Sequence, residues 1–160
     1  KLMEQEGLVC SMCLADDEQQ VAQMAEVIQE CPQLKVAIGH FGMPTTASFR
    51  SQVLLAREGD NVMVESGGIT WLYNPEYYPF PTAVRRIREA ADLVGWERLM
   101  WGSDYPRTIT AITYRMSYDF IEKSSELTAD EKRLFLGENA QRFYGFRHLP
   151  DLPYIKNMSE

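Results

Sequence analysis

Basic charge is scarce in this 160-residue chain: 16 lysines and arginines stand against 23 aspartates and glutamates, a formal net charge of -7. Nucleic-acid binding draws much of its affinity from a basic stripe laid against phosphates, and the sequence has none, so nucleic acid and anionic membrane surfaces are excluded as partners. Long apolar runs are also lacking. None approaches the ~20 residues of a transmembrane helix, and the opening KLMEQEG has no signal-peptide pattern, which implies a cytoplasmic location. Cysteine is sparse and odd in number, at Cys10, Cys13 and Cys31, without the spacing of a secreted disulfide framework. Cys10 and Cys13 form a C-x-x-C, but it lies in the apolar run GLVCSMCLA, where residues three apart point to opposite faces of a strand. A redox pair would instead open a helix, and a structural zinc would need a second pair of ligands. Histidine is rarer still, at His40 and His148 only.

What the chain does have is apolar material, 45% of its residues, and enough length for one domain with a real core. Short apolar runs alternate with helical patterns. Leu8 to Leu14 predicts a strand, and Asp16 and Asp17 are placed to start a helix over Glu18 to Glu30, where Val21, Met24, Ala25 and Ile28 share a face and Pro32 ends it. Leu34 to Gly39 predicts a second strand, closed by His40-Phe41-Gly42-Met43-Pro44. Thr46 or Ser48 caps a short helix through Ala56, and Asn61 to Glu65 predicts a third strand before the Gly67-Gly68 break. Trp71 to Pro81 reads as a long loop with one turn of helix. Thr82 opens a helix with Val84, Ile87, Arg88, Ala91 and Val94 on one face, closed by Gly95. Arg98 to Gly102 predicts the fourth strand, ending at Ser103-Asp104-Tyr105-Pro106. A helix is expected over Ile109 to Lys123; Thr128 and Glu131 have capping-box spacing for a helix from Ala129 to Leu136, and Asn139 to Tyr144 predicts a last turn stopped by Gly145. Four strands alternating with helices predict an α/β fold of parallel βα units, either an open doubly wound sheet or consecutive units of a (β/α)8 barrel.

In both architectures ligands bind beyond the C-terminal ends of the strands. The polar residues that stand there are His40 after the second strand, Glu65 and Ser66 after the third, and Asp104 after the fourth. Taken together they form an acid/base or metal constellation: a carboxylate can take a proton from water or bind a metal that acidifies it, and an imidazole can polarise a carbonyl or move a proton. Gly42, Gly67 and Gly68 serve either close backbone approach to a ligand or simple turns.

Three stretches carry a family resemblance. Pro32-x-Leu34-Lys35-Val36-Ala37-Ile38-Gly39-His40-Phe41-Gly42-Met43-Pro44 resembles the sixth-strand segment of the amidohydrolase-related family, which includes lactonases and aminocarboxymuconate-semialdehyde-type decarboxylases. Leu99-Met100-Trp101-Gly102-Ser103-Asp104-Tyr105-Pro106 resembles its eighth-strand signature, and Asn139-Ala140-Gln141-Arg142-Phe143-Tyr144-Gly145-Phe146 its C-terminal helix motif. Asn61 to Gly68 fits the seventh strand between them. The resemblance implies the C-terminal half, strands five to eight, of a (β/α)8 TIM barrel over residues 1–147, with 148–160 as a C-terminal tail. It implies Asp104 as a catalytic residue that handles the proton of the attacking water and ligates the metal in metal-dependent members. It implies His40 as the residue that orients or polarises the substrate. Tyr105 and Arg107, in the loop after Asp104, become candidate substrate contacts, an arginine there suiting a carboxylate.

The departures from the family pattern carry further expectations. The first-strand His-x-His is absent, the fifth-strand histidine position falls within Cys10-Ser11-Met12-Cys13, and His148 reads as a surface residue. His40 and Asp104 alone cannot build a tight zinc site. A divalent metal such as zinc is therefore expected only in the complete protein, with none held tightly by this chain alone. The non-Met start at Lys1 reads as a cut. The chain is expected to need the missing N-terminal half or self-association, to take a small carbonyl or carboxylate substrate in the complete protein, and to be inactive alone. The alternatives are a non-oxidative decarboxylase on the same scaffold and a non-catalytic half-barrel that associates with a partner.

Overall fold

The computed structural model describes residues 1–147; His148 and the expected 148–160 tail lie outside the described residues. Among the described residues four strands form, β1 (Val9–Met12), β2 (Lys35–Ile38), β3 (Val62–Glu65) and β4 (Leu99–Met100), each inside an expected run and shorter than it. All neighbours pair in parallel, and their order in the sheet is the order of the chain, β1-β2-β3-β4. Between and around them run α1 (Leu2–Gln5), α2 (Glu18–Glu30), α3 (Phe49–Leu54), α4 (Ile69–Leu72), α5 (Pro81–Val94), α6 (Met116–Glu122), α7 (Ala129–Arg133) and α8 (Asn139–Tyr144).

Strand alternation divides the sheet into two unlike faces. Cys10 and Met12, Val36 and Ile38, Val62 and Val64, and Leu99 join one large apolar cluster with Val21, Met24 and Ile28 of α2, Val53 of α3, and Val84, Ile87 and Ala91 of α5. The other parity, Val9, Ala37, Met63 and Met100, forms a small second cluster reached by Ala140 and Phe143 of α8. A doubly wound sheet reverses its strand order and covers both faces with crossover helices. Here the order never reverses and the crossover helices coat one face, which is the layering of an arc of a (β/α)8 barrel.

The helix limits follow from local chemistry. Asp17 caps α2, its carboxylate accepting the Gln19 N–H at 2.8 Å. Pro81 opens α5 and Gly95, at φ 84°, closes it. The capping box ahead of α7 is complete: the Thr128 N–H donates to Glu131 Oε2 at 2.7 Å, and the Glu131 N–H to Thr128 Oγ1 at 3.3 Å.

Two expectations are corrected. The helix expected over Ile109 to Lys123 is broken into a 3₁₀ segment (Arg107–Thr110) and α6, because threonine side chains there bind the local backbone: Thr110 Oγ1 donates to the Arg107 carbonyl at 2.7 Å, and Thr113 Oγ1 accepts the Met116 N–H at 3.2 Å. The long loop from Trp71 is entered through α4 and holds a helical turn as expected, a 3₁₀ turn at Asn74–Glu76. The two C-terminal helices expected from the sequence are one continuous run, α7 joined to α8 by a π-helical turn at Leu134–Glu138.

That π turn has a use. It places the Phe135 carbonyl where it accepts the Trp101 N–H at 2.8 Å, and it delivers Asn139, fully buried, against the same edge of β4. Asn139 Nδ2 donates to the carbonyls of both Trp96 and Leu99 at 2.7 Å. The Asn-Ala-x-Arg motif therefore fastens α8 to the last strand. Asn139→Ala strips both carbonyls of their donor in a buried site, with an expected loss of about 2–3 kcal/mol of stability. Urea unfolding of the variant, set beside Thr128→Ala, which should lose about 1 kcal/mol, measures it.

Candidate functional site

His40, Glu65 and Asp104 lie at one end of the sheet because each follows, or ends, a parallel strand. Immediately after β2, Gly39 and His40 leave the sheet. Phe41 then turns into the main core, fully buried, with its ring 6.4 Å from both Phe49 and Phe135. That anchor leaves the His40 imidazole at the mouth, its side chain 40% exposed. Nδ1 is buried with no hydrogen-bond partner among the described residues, while Nε2 faces Asp104 Oδ1 at 3.8 Å. This is a charge contact, too long for a hydrogen bond.

Asp104 is held by the turn that follows β4, where its carbonyl accepts the Thr108 N–H at 3.1 Å. Its side chain is 23% exposed. Both His40 (φ 50°) and Asp104 (φ 52°) adopt the left-handed conformation, unusual for residues with a side chain and a form of local strain that collects at functional sites. Gly68, at φ 74°, sits between them: a Cβ there would lie 3.0 Å from Asp104 Oδ2 and 3.3 Å from His40 Cδ2. The backbone after β3 thus approaches the pair as closely as only a glycine allows. Ser66, also fully buried, ties β3 to β4 just below the site; its N–H donates to the Met100 carbonyl at 2.9 Å and its Oγ accepts the Gly102 N–H at 3.3 Å.

Glu65 has the parity of Met63, so its carboxyl enters the inner face beneath the mouth. Burial pushes it up from the ordinary 4.5 to about 7, a backbone hydrogen bond at Gly67 opposes the shift, and the Asp104 charge adds to it. On α8, the Tyr144 phenol is raised by burial and by the charge of Glu65.

Tyr105 and Arg107 form part of the rim. Tyr105 is 65% exposed and leads a series of edge-on rings: Tyr105 to Tyr114 at 6.5 Å, and Tyr114 to Trp101 at 6.0 Å. The Arg107 guanidinium lies over the Trp71 ring at 4.3 Å, linking the loop after β4 to α4. Trp71 had no place among the sequence candidates, and nothing in a lone tryptophan at the start of a proline-rich loop signals a guanidinium platform. Glu65 was visible as one of several strand-end polar residues. Its sharper signal is that it is the one charged residue in VMVE, on the parity opposite to the valines.

The family model described as Amidohydrolase matches residues 1–146. The chain belongs to the amidohydrolase family. Among solved structures it is similar to an amidohydrolase from Burkholderia multivorans with bound zinc, at 20% identity and a TM-score of 0.73, over 90% of this chain and 55% of that one. It is also similar to a protein assigned as a 2-pyrone-4,6-dicarboxylic acid hydrolase from Pseudomonas putida, at 22% identity and a TM-score of 0.67, over 92% of this chain and 55% of that one. A third is 5-carboxyvanillate decarboxylase from Sphingomonas paucimobilis, at 19% identity and a TM-score of 0.53, over 80% of this chain and 39% of that one. At these identities the likeness shows the fold. The chain spans about half the length of the first structures it matches. Sequence comparison with curated proteins gives no match.

Zinc bound to one relative makes the donor set of this family member worth testing. Among the described residues no three of His, Cys, Asp and Glu come together as a metal site. His40 and Asp104 supply two donors at most, so the described residues do not by themselves fit a metal centre. Also among them, no helix is long and apolar enough to cross a membrane.

The displaced Glu65 carboxyl has a measurable effect on folding. Between the ordinary 4.5 and about 7 the folded chain keeps a proton that the unfolded chain releases, so stability falls as pH rises through that window. Glu65→Gln removes this penalty. The variant should match the wild type at pH 4 and exceed it by about 2 kcal/mol at pH 8, allowing for residual solvent contact. Urea unfolding at the two pH values checks the difference.

Proposed function

We propose that the chain is the C-terminal half, strands five to eight, of an amidohydrolase-family barrel whose reaction is hydrolysis of a lactone, amide or similar carbonyl compound. The observation that carries this reading is the facing of His40 Nε2 and Asp104 Oδ1 at 3.8 Å, in a mouth open to solvent beyond the strand ends. Asp104 takes a proton from water as the water oxygen bonds to the carbonyl carbon. His40 presents Nε2 to the carbonyl oxygen, orienting it and stabilising the charge that develops there. Tyr105 supplies an exposed ring beside the reacting group, and Arg107, held over Trp71, supplies a cation for a substrate carboxylate. A divalent metal belongs to this proposal only through ligands outside the described residues, with Asp104 as the one ligand taken from this chain.

The chain's inner face supports the need for a second half or a second copy. The crossover helices cover only one side of the sheet, and the alignment covers only 55% of the first matched structure. The expected outcome is that the 160-residue chain alone turns over no lactone, while the full-length protein does. In the full-length protein Asp104→Asn should lower kcat/KM by about 10²–10⁴-fold, and His40→Asn by about 10²–10³-fold. Turnover by the isolated chain, or an active full-length Asp104→Asn protein, overturns the assignment. The similarity to a decarboxylase favours one second reading, loss of carbon dioxide from a carboxylated ring. Carbon dioxide release without lactone hydrolysis would select it.

A further inference from the structure

His40 opens a run of four residues that all lie in the left-handed region: His40 at φ 50°, Phe41 at 52°, Gly42 at 60° and Met43 at 51°. Residues with a side chain visit that region singly, because their Cβ then crowds the following carbonyl oxygen. A run of them persists only where its surroundings over-determine it. Inside the turn the Gly42 N–H donates to the Gly39 carbonyl at 3.3 Å, and the Met43 N–H to the His40 carbonyl at 2.9 Å. Phe41 cannot yield, since its ring is fully buried in the main core. Gly42 is free of the strain and lies against α3, where a Cβ on it would stand 3.0 Å from Gln52 Cβ. What the turn can relax therefore falls on its two ends, His40 and Met43.

The exit of the turn is held from outside it. The Met43 carbonyl accepts both the Thr46 N–H at 2.9 Å and the Thr46 hydroxyl at 2.8 Å. The next carbonyl, that of Pro44, accepts the Tyr73 hydroxyl at 3.1 Å in a buried contact. Tyr73 caps the C-terminal end of α4, and Gly68, the glycine against His40 and Asp104, caps its N-terminal end. The Leu72 N–H donates to the Gly68 carbonyl at 3.0 Å and the Tyr73 N–H to the Ile69 carbonyl at 3.2 Å, which joins the two ends in one hydrogen-bonded turn. α4 thus meets the imidazole at its start and the exit of the left-handed turn at its end. Arg86 of α5 is raised above its ordinary value by Glu89 first and by the Tyr73 hydroxyl second. A cation beside the hydroxyl oxygen polarises the O–H that points to Pro44 and strengthens its donation.

We propose that Tyr73 is a positioning residue for His40: its hydroxyl fixes the exit of the left-handed turn and so keeps Nε2 directed toward Asp104. The inference rests on the hydrolytic reading above for the task of His40, while the placement of the imidazole is a property of the fold. Tyr73 acts through the backbone from Pro44 back to His40. Without the hydroxyl, the buried Pro44 carbonyl loses its donor. Met43 and His40 then shift toward the right-handed form, and the 3.8 Å facing of Nε2 and Asp104 Oδ1 is lost.

The test uses the full-length protein and two variants of nearly unchanged shape, Tyr73→Phe and Thr46→Val, each of which removes one hydroxyl at the exit of the turn. Each should lower kcat/KM on an alkyl lactone by about 10–10²-fold, the loss that a small misplacement of a reacting group brings. In a His40→Asn background either should cost less than about twofold more, because the route through His40 is already cut. A hydroxyl that only supports the fold would lower both backgrounds alike. The imidazole proton signal of His40, identified by its disappearance in His40→Asn, should shift in Tyr73→Phe while the other histidine signals stay. An unmoved His40 signal, or equal losses with and without His40, overturns the role of Tyr73 and leaves the hydrolytic reading in place. A shifted signal in a protein whose unmutated form turns over no lactone supports the role of Tyr73 and overturns the hydrolytic reading.

Discussion

Parity along β2, β3 and β4 governs this protein. Parallel pairing in register puts Val36, Ile38, Val62, Val64 and Leu99 against the helices, and their burial, each worth on the order of 1.5–3 kcal/mol, makes a one-residue slip prohibitive. The opposite parity then has no freedom. Ala37, Met63 and Met100 must face inward, and so must Glu65 at the end of β3. The strand-end mouth of the sheet inherits its geometry from a packing requirement on the other face. His40 is a further instance, since the burial of Phe41 next to it decides where the imidazole can stand.

The last strand shows a second dependence. β4 is two residues long, and its outward edge is satisfied by the C-terminal helix through Asn139 Nδ2 and the Phe135 carbonyl. The π turn makes both contacts from one helical run, because an extra residue in the turn frees a carbonyl that an α-helix would consume. Asp104, four residues past that strand, is therefore placed by a helix that follows it in the chain. The same helix reaches the inner face with Phe143, whose carbonyl accepts from Lys35 Nζ at 2.7 Å, at the end of the sheet away from the mouth.

Much of this was legible. Short apolar runs separated by Pro32, Gly59 and Gly95 marked all four strands, and the caps at Asp17 and Thr128 bonded as their spacing required. The strand-end rule brought His40 and Asp104 to one mouth, and Tyr105 and Arg107 to its rim. The threonine-rich stretch before α6 was not legible, because apolar period and side-chain-to-backbone bonding compete there and only the fold arbitrates. Nor was the joining of α7 to α8, since a π turn has no period of its own.

The amino-acid sequence by itself determined the βα units, the family motifs and the residue types able to move protons, all of which depend on local spacing. Tertiary structure alone decided that the sheet is coated on one side, that Arg107 rests on Trp71, and that Gly67 and Gly102 leave the space that one carboxyl takes. These are contacts between segments far apart in the chain. Their distances follow from the register and twist of strands, which no local pattern encodes.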